Sequence, residues 1–191
     1  MIAICLISGG MDSCVTAAIA ARESDELAFL HISYGQRTEA RERKAFNDIA
    51  AHYGVEKRLD ISIEHLAKIG GSSLTDSNIA VTEADLASTD IPSSYVPFRN
   101  ANMLAIATSL AEVIGASSIY IGAVAEDSSG YPDCRGDFLD AFERMAALGM
   151  KCGVEGNPVK IMAPLLHIRK SEIIRLGIGL GVDYSKTHSC Y

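Results

Sequence analysis

The tract Ser8-Gly9-Gly10-Met11-Asp12-Ser13 combines the residue types a phosphate group needs. It follows an apolar run at residues 2–7 and opens an Ala-rich run at residues 12–22. Glycines at a strand-to-helix turn let the backbone approach an anion closely, and the helix start offers free N–H groups with a favourable dipole. Ile7 leads into the turn, Met11 sits inside it, and Ser8 and Ser13 add hydroxyl donors. Asp12 would repel phosphates unless a cation lay between, and Mg²⁺ is the usual one. The tract lacks the terminal Lys-Ser/Thr of a Walker A motif and does not match G-x-G-x-x-G. It therefore suits a nucleotide pyrophosphate; the structural alternative is a glycine turn with Asp12 in an acidic first helical turn.

Three further groups could line a site. Ser33, Tyr34 and Gln36 follow a second apolar run and suit a ribose or adenine; the alternative is a polar turn with a half-buried Tyr34. Arg99 and Asn100 open a helix, where a cation opposes the helix dipole and so suggests a clamp on phosphate or carboxylate. The tract 125–135 carries Asp127, Tyr131, Asp133 and Arg135. A carboxylate there can accept the paired N–H donors of a guanine-like edge, with Tyr131 walling the ring. Gly130 and Pro132 alone would also mark an ordinary turn. The cysteines at 5, 14, 134, 152 and 190 form no C-x-x-C pair. Cys134 has no evident base beside it and reads as packing, and Cys152 reads as a loop residue. The five histidines show no metal spacing.

These loops need a frame to hold them. Apolar runs at 2–7, 27–32, 59–63, 118–124 and 159–166 read as strands. Amphipathic runs at 12–22, 39–53, 100–114, about 138–145 and 168–180 read as helices. The alternation predicts an α/β fold: a doubly wound, mostly parallel sheet with helices on both faces. Ligands of such sheets bind beyond the carboxyl ends of the strands, which is where all these loops fall. Residues 70–94 are rich in Ser, Thr, Asp and Gly and read as a long loop or lid. The expected division is a nucleotide-binding domain at 1–165 and a C-terminal helical extension at 166–191.

The 191 residues carry a net charge of −7 with 48% hydrophobic and 21% charged residues. That balance argues against a nucleic-acid duplex as partner, whose affinity rests on neutralised phosphates. It favours a small molecule. No run reaches the roughly 18 apolar residues of a membrane span, and no secretion signal is evident, so a cytoplasmic location is expected.

The glycine tract resembles the pyrophosphate loop of the ATP pyrophosphatase superfamily. The segments Tyr34-Gly-Gln-Arg37, Val96-Pro-Phe-Arg-Asn100, Ser129-Gly-Tyr-Pro-Asp-Cys-Arg135 and Ser189-Cys-Tyr191 resemble the 7-cyano-7-deazaguanine synthase family. The resemblance spans essentially the whole chain. It implies the fold of the adenine nucleotide alpha hydrolases and an ATP-dependent carbon–nitrogen ligase. Such an enzyme adenylates 7-carboxy-7-deazaguanine and uses ammonia to form the nitrile, a step toward queuosine. It implies ATP with Mg²⁺, a homodimer, and Arg99 as the cation near the pyrophosphate. Departures fall at Thr38, Phe98 and Val124, where the family usually has His, often Gly and often Asn. The alternatives are a relative adenylating tRNA or protein, and a nucleotide-binding protein without catalysis. In the family the counterpart of Cys190 joins three later cysteines on zinc. With Cys190 alone, the chain is expected to hold no stoichiometric zinc unless ligands come from beyond Tyr191 or from another chain. Its residues after about 184 are expected to be mobile or packed on a partner.

Overall fold

The computed structural model describes residues 1–80, 91–124 and 131–188. Strands β1 (Ile2–Leu6), β2 (Glu26–Ser33), β3 (Lys57–Ser62), β4 (Ser118–Tyr120) and β5 (Lys160–Met162) form one sheet in the order β3-β2-β1-β4-β5. Every pair is parallel. Helices α1 (Met11–Glu23) and α2 (Glu39–His52) connect the first three strands. Helix α4 (Arg99–Ile114) carries the chain back across to β4, after the short α3 (His65–Ile69). Helices α5 (Gly136–Gly149) and α6 (Lys151–Val154) precede β5, and α7 (Lys170–Leu180) follows it. The sheet reverses direction of growth at β1, so the crevice between β1 and β4 is the place where such a fold binds ligands.

Alternation along β1 explains the two layers. Ala3, Cys5 and Ile7 point to one side, where Val15 and Ala18 of α1, Phe46 and Ile49 of α2 and Ile173 of α7 cover them. Ile4 and Leu6 point to the other, under Ala101, Leu104 and Ala107 of α4 and Leu139 and Phe142 of α5. Successive strand side chains face opposite ways, so a strand covered on both sides must be apolar throughout. Burying a side chain of this size stabilises by about 1.5–3 kcal/mol. Small residues bring α1 close to the sheet: Ala17 and Ala20 are fully buried.

The expected strands at 118–124 and 159–166 end early, at Tyr120 and Met162. One further rung, from the Ile121 N–H to the Met162 carbonyl (2.9 Å), closes that ladder. Cys152, expected in a loop, lies in α6, whose first amides donate to the Glu112 carboxylate. The Ser-rich stretch is more fixed at its ends than a lid would be. The Ser73 N–H donates to the Ser93 carbonyl at 2.8 Å and the Ser72 hydroxyl to the Ser94 carbonyl at 3.2 Å. Ser72 and Ser73 are completely buried. The segment expected as a C-terminal extension packs on α1. Gly177 allows this, since a Cβ there would lie 2.8 Å from Val15 Cγ2 of α1. Residues 184–188 fold back on their own chain, with the His188 N–H donating to the Gly9 carbonyl at 2.8 Å. That corrects the expectation that residues after 184 are mobile or held by a partner, as far as His188. No helix among the described residues is long and apolar enough to cross a membrane.

Candidate active site

The loop after β1 is held tightly around an open helix start. Gly10 precedes α1 in extended conformation, and no side chain caps the helix. The first-turn amides of a helix have no intrahelical acceptors, and their dipole suits an anion there. The serines shape the turn: the Ser13 hydroxyl donates to the Gly10 carbonyl (2.9 Å), and the Gly10 N–H donates to the Ser8 hydroxyl (3.2 Å). Gly9 has φ +84°, and a Cβ on it would stand 2.8 Å from the Glu42 carbonyl oxygen and 2.9 Å from Ala45 Cβ. Helix α2 therefore packs against the turn only because residue 9 is glycine. From the other side, Gly122 after β4 presses on α1; its Cβ would be 3.0 Å from the Ser13 nitrogen.

Asp12 stands in the first turn of α1. Lys170, at the first position of α7, donates to its Oδ2 at 2.8 Å. Its Oδ1 is buried with no hydrogen-bond partner among the described residues. A buried carboxylate oxygen without a partner is costly and needs an explanation; a cation or a ligand donor supplies one. Asp12 thus fits a Mg²⁺ ion on the donor chemistry of this one oxygen. Lys170 was not anticipated from the sequence. Its signal was the same as that of Arg99: a cation at a helix start, against the dipole. Only the packing of α7 on α1 shows that it serves Asp12.

The expected second loop is turned inward. Ser33 is fully buried, and its hydroxyl accepts from Arg43 Nη2 at 3.2 Å. Gln36 is buried; its Oε1 accepts from the Tyr34 N–H and its Nε2 donates to Glu42, both at 2.8 Å. Both polar ends of Gln36 are satisfied within the protein, so it shapes the loop. In this structure these groups of Ser33 and Gln36 support the loop, and a contact of either with a nucleotide remains a proposal. Thr38 also donates to Glu42.

Tyr34 and Arg99 meet. The Arg99 guanidinium donates to the Tyr34 hydroxyl at 3.0 Å and lies 5.3 Å from its ring centroid. Burial pushes the Tyr34 phenol up, and the neighbouring Arg99 charge partly offsets this. The cation bonded to Asp12 is Lys170, while Arg99 is bonded to Tyr34; Arg99 as a cation near the pyrophosphate remains a proposal.

Asp133 closes the start of α4. Its Oδ2 accepts from the Asn100 N–H at 2.8 Å. The Asn100 side chain donates to the Asp133 carbonyl (3.3 Å) and to Cys134 Sγ (3.0 Å). Burial raises the Asp133 carboxyl above the usual range, although the Asn100 amide and the Arg99 charge pull it down. Asp133 is 3% exposed, and its charge serves the helix. That displaces the reading of Asp133 as an open acceptor for a base edge. Burial pushes the Cys134 thiol up to about 11, so it stays protonated, as its reading as packing requires. Tyr131 joins this cluster to the serine segment through a 2.7 Å bond to the Ser94 hydroxyl and a ring contact with Tyr95 at 5.7 Å. Arg135 is exposed and pairs with Asp137 at 2.9 Å. Asp127 and Cys190 lie outside the described residues.

Phe98, one of the departures noted in the sequence, has φ +58°. Among the described residues it is the only non-glycine in that region. The glycine common in the family at this position is what that backbone favours.

Comparison with known proteins agrees with this geometry. Residues 2–191 match the family model described as Queuosine biosynthesis protein QueC. A 7-cyano-7-deazaguanine synthase of Chlorobium phaeobacteroides is 53% identical over the whole chain, which spans 83% of that protein. One from Chloroherpeton thalassium is 54% identical with the same coverage. Among solved structures, NMN synthetase from Francisella tularensis superimposes with a TM-score of 0.55 at 15% identity, over 100% of this chain and 65% of that one. The U34-tRNA thiolase NcsA from Methanococcus maripaludis gives 0.54 at 18%, over 100% and 61%. These structural likenesses show the shared fold alone. A match over residues 2–191, with a glycine loop packed from both sides around an open helix start, makes this chain a member of the QueC family of 7-cyano-7-deazaguanine synthases.

Proposed function

We propose that this chain converts 7-carboxy-7-deazaguanine and ammonia to 7-cyano-7-deazaguanine, with ATP cleaved to AMP and pyrophosphate. The observation that carries the reading is the open start of α1 beside a half-satisfied Asp12, in a chain matched along its length by synthases of that name. The substrate carboxylate attacks the α-phosphorus, and pyrophosphate leaves. Ammonia then displaces AMP to give an amide, and a second activation removes the amide oxygen to give the nitrile.

The protein's part is positioning and charge stabilisation. The start of α1 holds the leaving pyrophosphate in the turn that the Ser8 and Ser13 hydroxyls shape, and Lys170 adds positive charge beside it. Mg²⁺ bound at Asp12 would neutralise charge on the phosphate oxygens. Tyr34 and Arg99 form a wall on the side of Tyr131, where the deazapurine is proposed to bind. With Asp133 committed to α4, the carboxylate proposed to read the base edge is Asp127. Arg135 is proposed at the rim. No group of three or more His, Cys, Asp or Glu side chains that could hold a metal gathers among the described residues. A homodimer in the cytoplasm remains part of the proposal.

The test is turnover of ATP with 7-carboxy-7-deazaguanine and ammonium, followed by mass spectrometry. AMP, pyrophosphate and a nitrile product are expected. ADP and phosphate as primary products would overturn the assignment. ATP bound but never cleaved would indicate the non-catalytic alternative.

A further inference from the structure

Behind the phosphate loop lies a line of polar groups that this reaction does not touch. The strand register pairs Leu6 with Leu30, which sets Ile7 opposite His31. The Ile7 N–H still joins the sheet, donating to the Leu30 carbonyl at 2.9 Å. Its carbonyl is taken by a side chain, with His31 Nδ1 2.8 Å away. His31 is 1% exposed and stacks on Phe46 of α2, centroids 5.2 Å apart and planes at 27°. Its Nε2 lies 3.4 Å from the Ser33 hydroxyl, and that hydroxyl lies 3.2 Å from Arg43 Nη2. Arg43 in turn pairs with Asp60 at 2.9 Å and Glu39 at 3.1 Å.

A carbonyl only accepts, so Nδ1 carries a proton and donates to the Ile7 oxygen. A guanidinium only donates, so the Ser33 oxygen accepts from Arg43 while lying beside Nε2. The ring is thus held from both ends. We propose that His31 is a positioning residue: by holding the Ile7 carbonyl it fixes the path along which the chain leaves β1 and enters the glycine turn. A turn with two consecutive glycines has wide backbone freedom, and ordering it on binding would cost affinity. His31 on one side of the turn and the His188 amide on the other remove that freedom beforehand. The inference rests on the reading of this loop as a pyrophosphate site.

The test uses full-length wild type and three variants. His31→Leu removes the donor, His31→Asn keeps an amide N–H near the Nδ1 position, and Ser33→Ala keeps the ring but loses its outer partner. Affinity for inorganic pyrophosphate and for AMP is measured by calorimetry, and backbone hydrogen exchange by mass spectrometry. His31→Leu should weaken pyrophosphate about tenfold, the scale of one lost hydrogen bond, and leave AMP unchanged. Exchange should rise in residues 8–13 alone. His31→Asn should recover most of both, and Ser33→Ala should show a smaller change in the same direction. Equal loss of pyrophosphate and AMP with faster exchange throughout the sheet would mean a merely structural histidine and overturn the proposal. So would no change in either measurement. If His31→Leu does not fold, Ser33→Ala decides: unchanged loop exchange overturns the idea. If wild type does not bind pyrophosphate, the phosphate reading falls. The positioning inference is then judged on whether exchange of residues 8–13 rises in His31→Leu and returns in His31→Asn. A wild-type ¹⁵N spectrum showing no proton on Nδ1 of His31 would also overturn it.

Discussion

Helices α1 and α4 both begin at the carboxyl edge of the sheet, and their starts are built in opposite ways. At α1, Gly10 gives no side-chain cap, two glycines approach neighbouring backbone closely, and Asp12 keeps one buried oxygen without a partner. At α4, a carboxylate from 33 residues away accepts the Asn100 amide, and the preceding turn is closed by the Tyr95 hydroxyl bound to the Phe98 N–H at 2.9 Å. A helix start whose amide is met by a carboxylate from another element has little left for a ligand; one with no side-chain cap suits an anion. Both carry an anion at the positive end of the dipole. Asp133 spends its charge on the protein, and Asp12 shares its charge with Lys170 and whatever binds.

This contrast can be broken by exchange of roles. The largest effect is expected from Asp12→Ala, which should lower ATP turnover by about 100-fold or more. It removes an unsatisfied buried oxygen, so thermal stability should hold or rise. Wild-type kcat in this variant, measured by AMP release, would remove Asp12 from the chemistry. Gly9→Ala should come next. It must hold φ +84° with a Cβ 2.8 Å from the Glu42 carbonyl, at a cost of about 1–3 kcal/mol. The melting temperature should fall by several degrees, and pyrophosphate binding should fall with it.

At α4 the response should be in stability. Asp133→Ala should cost about 1–3 kcal/mol in urea unfolding by stripping the Asn100 amide of its acceptor. Direct loss of substrate affinity beyond that shared with the fold would return Asp133 to the base-reading role. The comparison of wild type with Asp133→Asn has a pH sign. Burial raises the folded carboxyl above its unfolded value. The folded state therefore holds the proton more tightly, and the contribution is present at acid pH and lost as pH rises through the raised value. The wild-type advantage should grow as pH is lowered into the carboxylate range. An advantage that shrinks there would reverse the assignment. The smallest effect is expected from Phe98→Gly. Relief of φ +58° is opposed by loss of the edge contact with Phe138 at 6.1 Å. The net should be a gain of no more than about 1 kcal/mol, read as a small rise in melting temperature with activity kept. A large loss of activity would mean that the exposed ring itself meets the substrate.

Local pattern was enough for everything that depends on neighbours in sequence. The apolar alternation and helical periods foretold the parallel sheet, because a strand covered on both faces must be apolar at every position. The glycine tract at the end of β1 marked the tight turn proposed as the phosphate loop, because only glycine tolerates the close approach seen at Gly9. Motif resemblance across the chain identified the family. What sequence could not decide was direction. Ser33, Gln36 and Asp133 are polar loop residues, and their types fit a ligand as well as they fit the protein. The fold turned Ser33 toward Arg43, Gln36 toward Glu42 and Asp133 toward Asn100. Lys170 is separated from Asp12 by 158 positions, and no local signal links them. Hydrogen bonds between distant elements depend on how helices seat on the sheet, and that seating is set by the whole core together. Residue type set what each side chain can donate or accept; tertiary packing alone chose its partner.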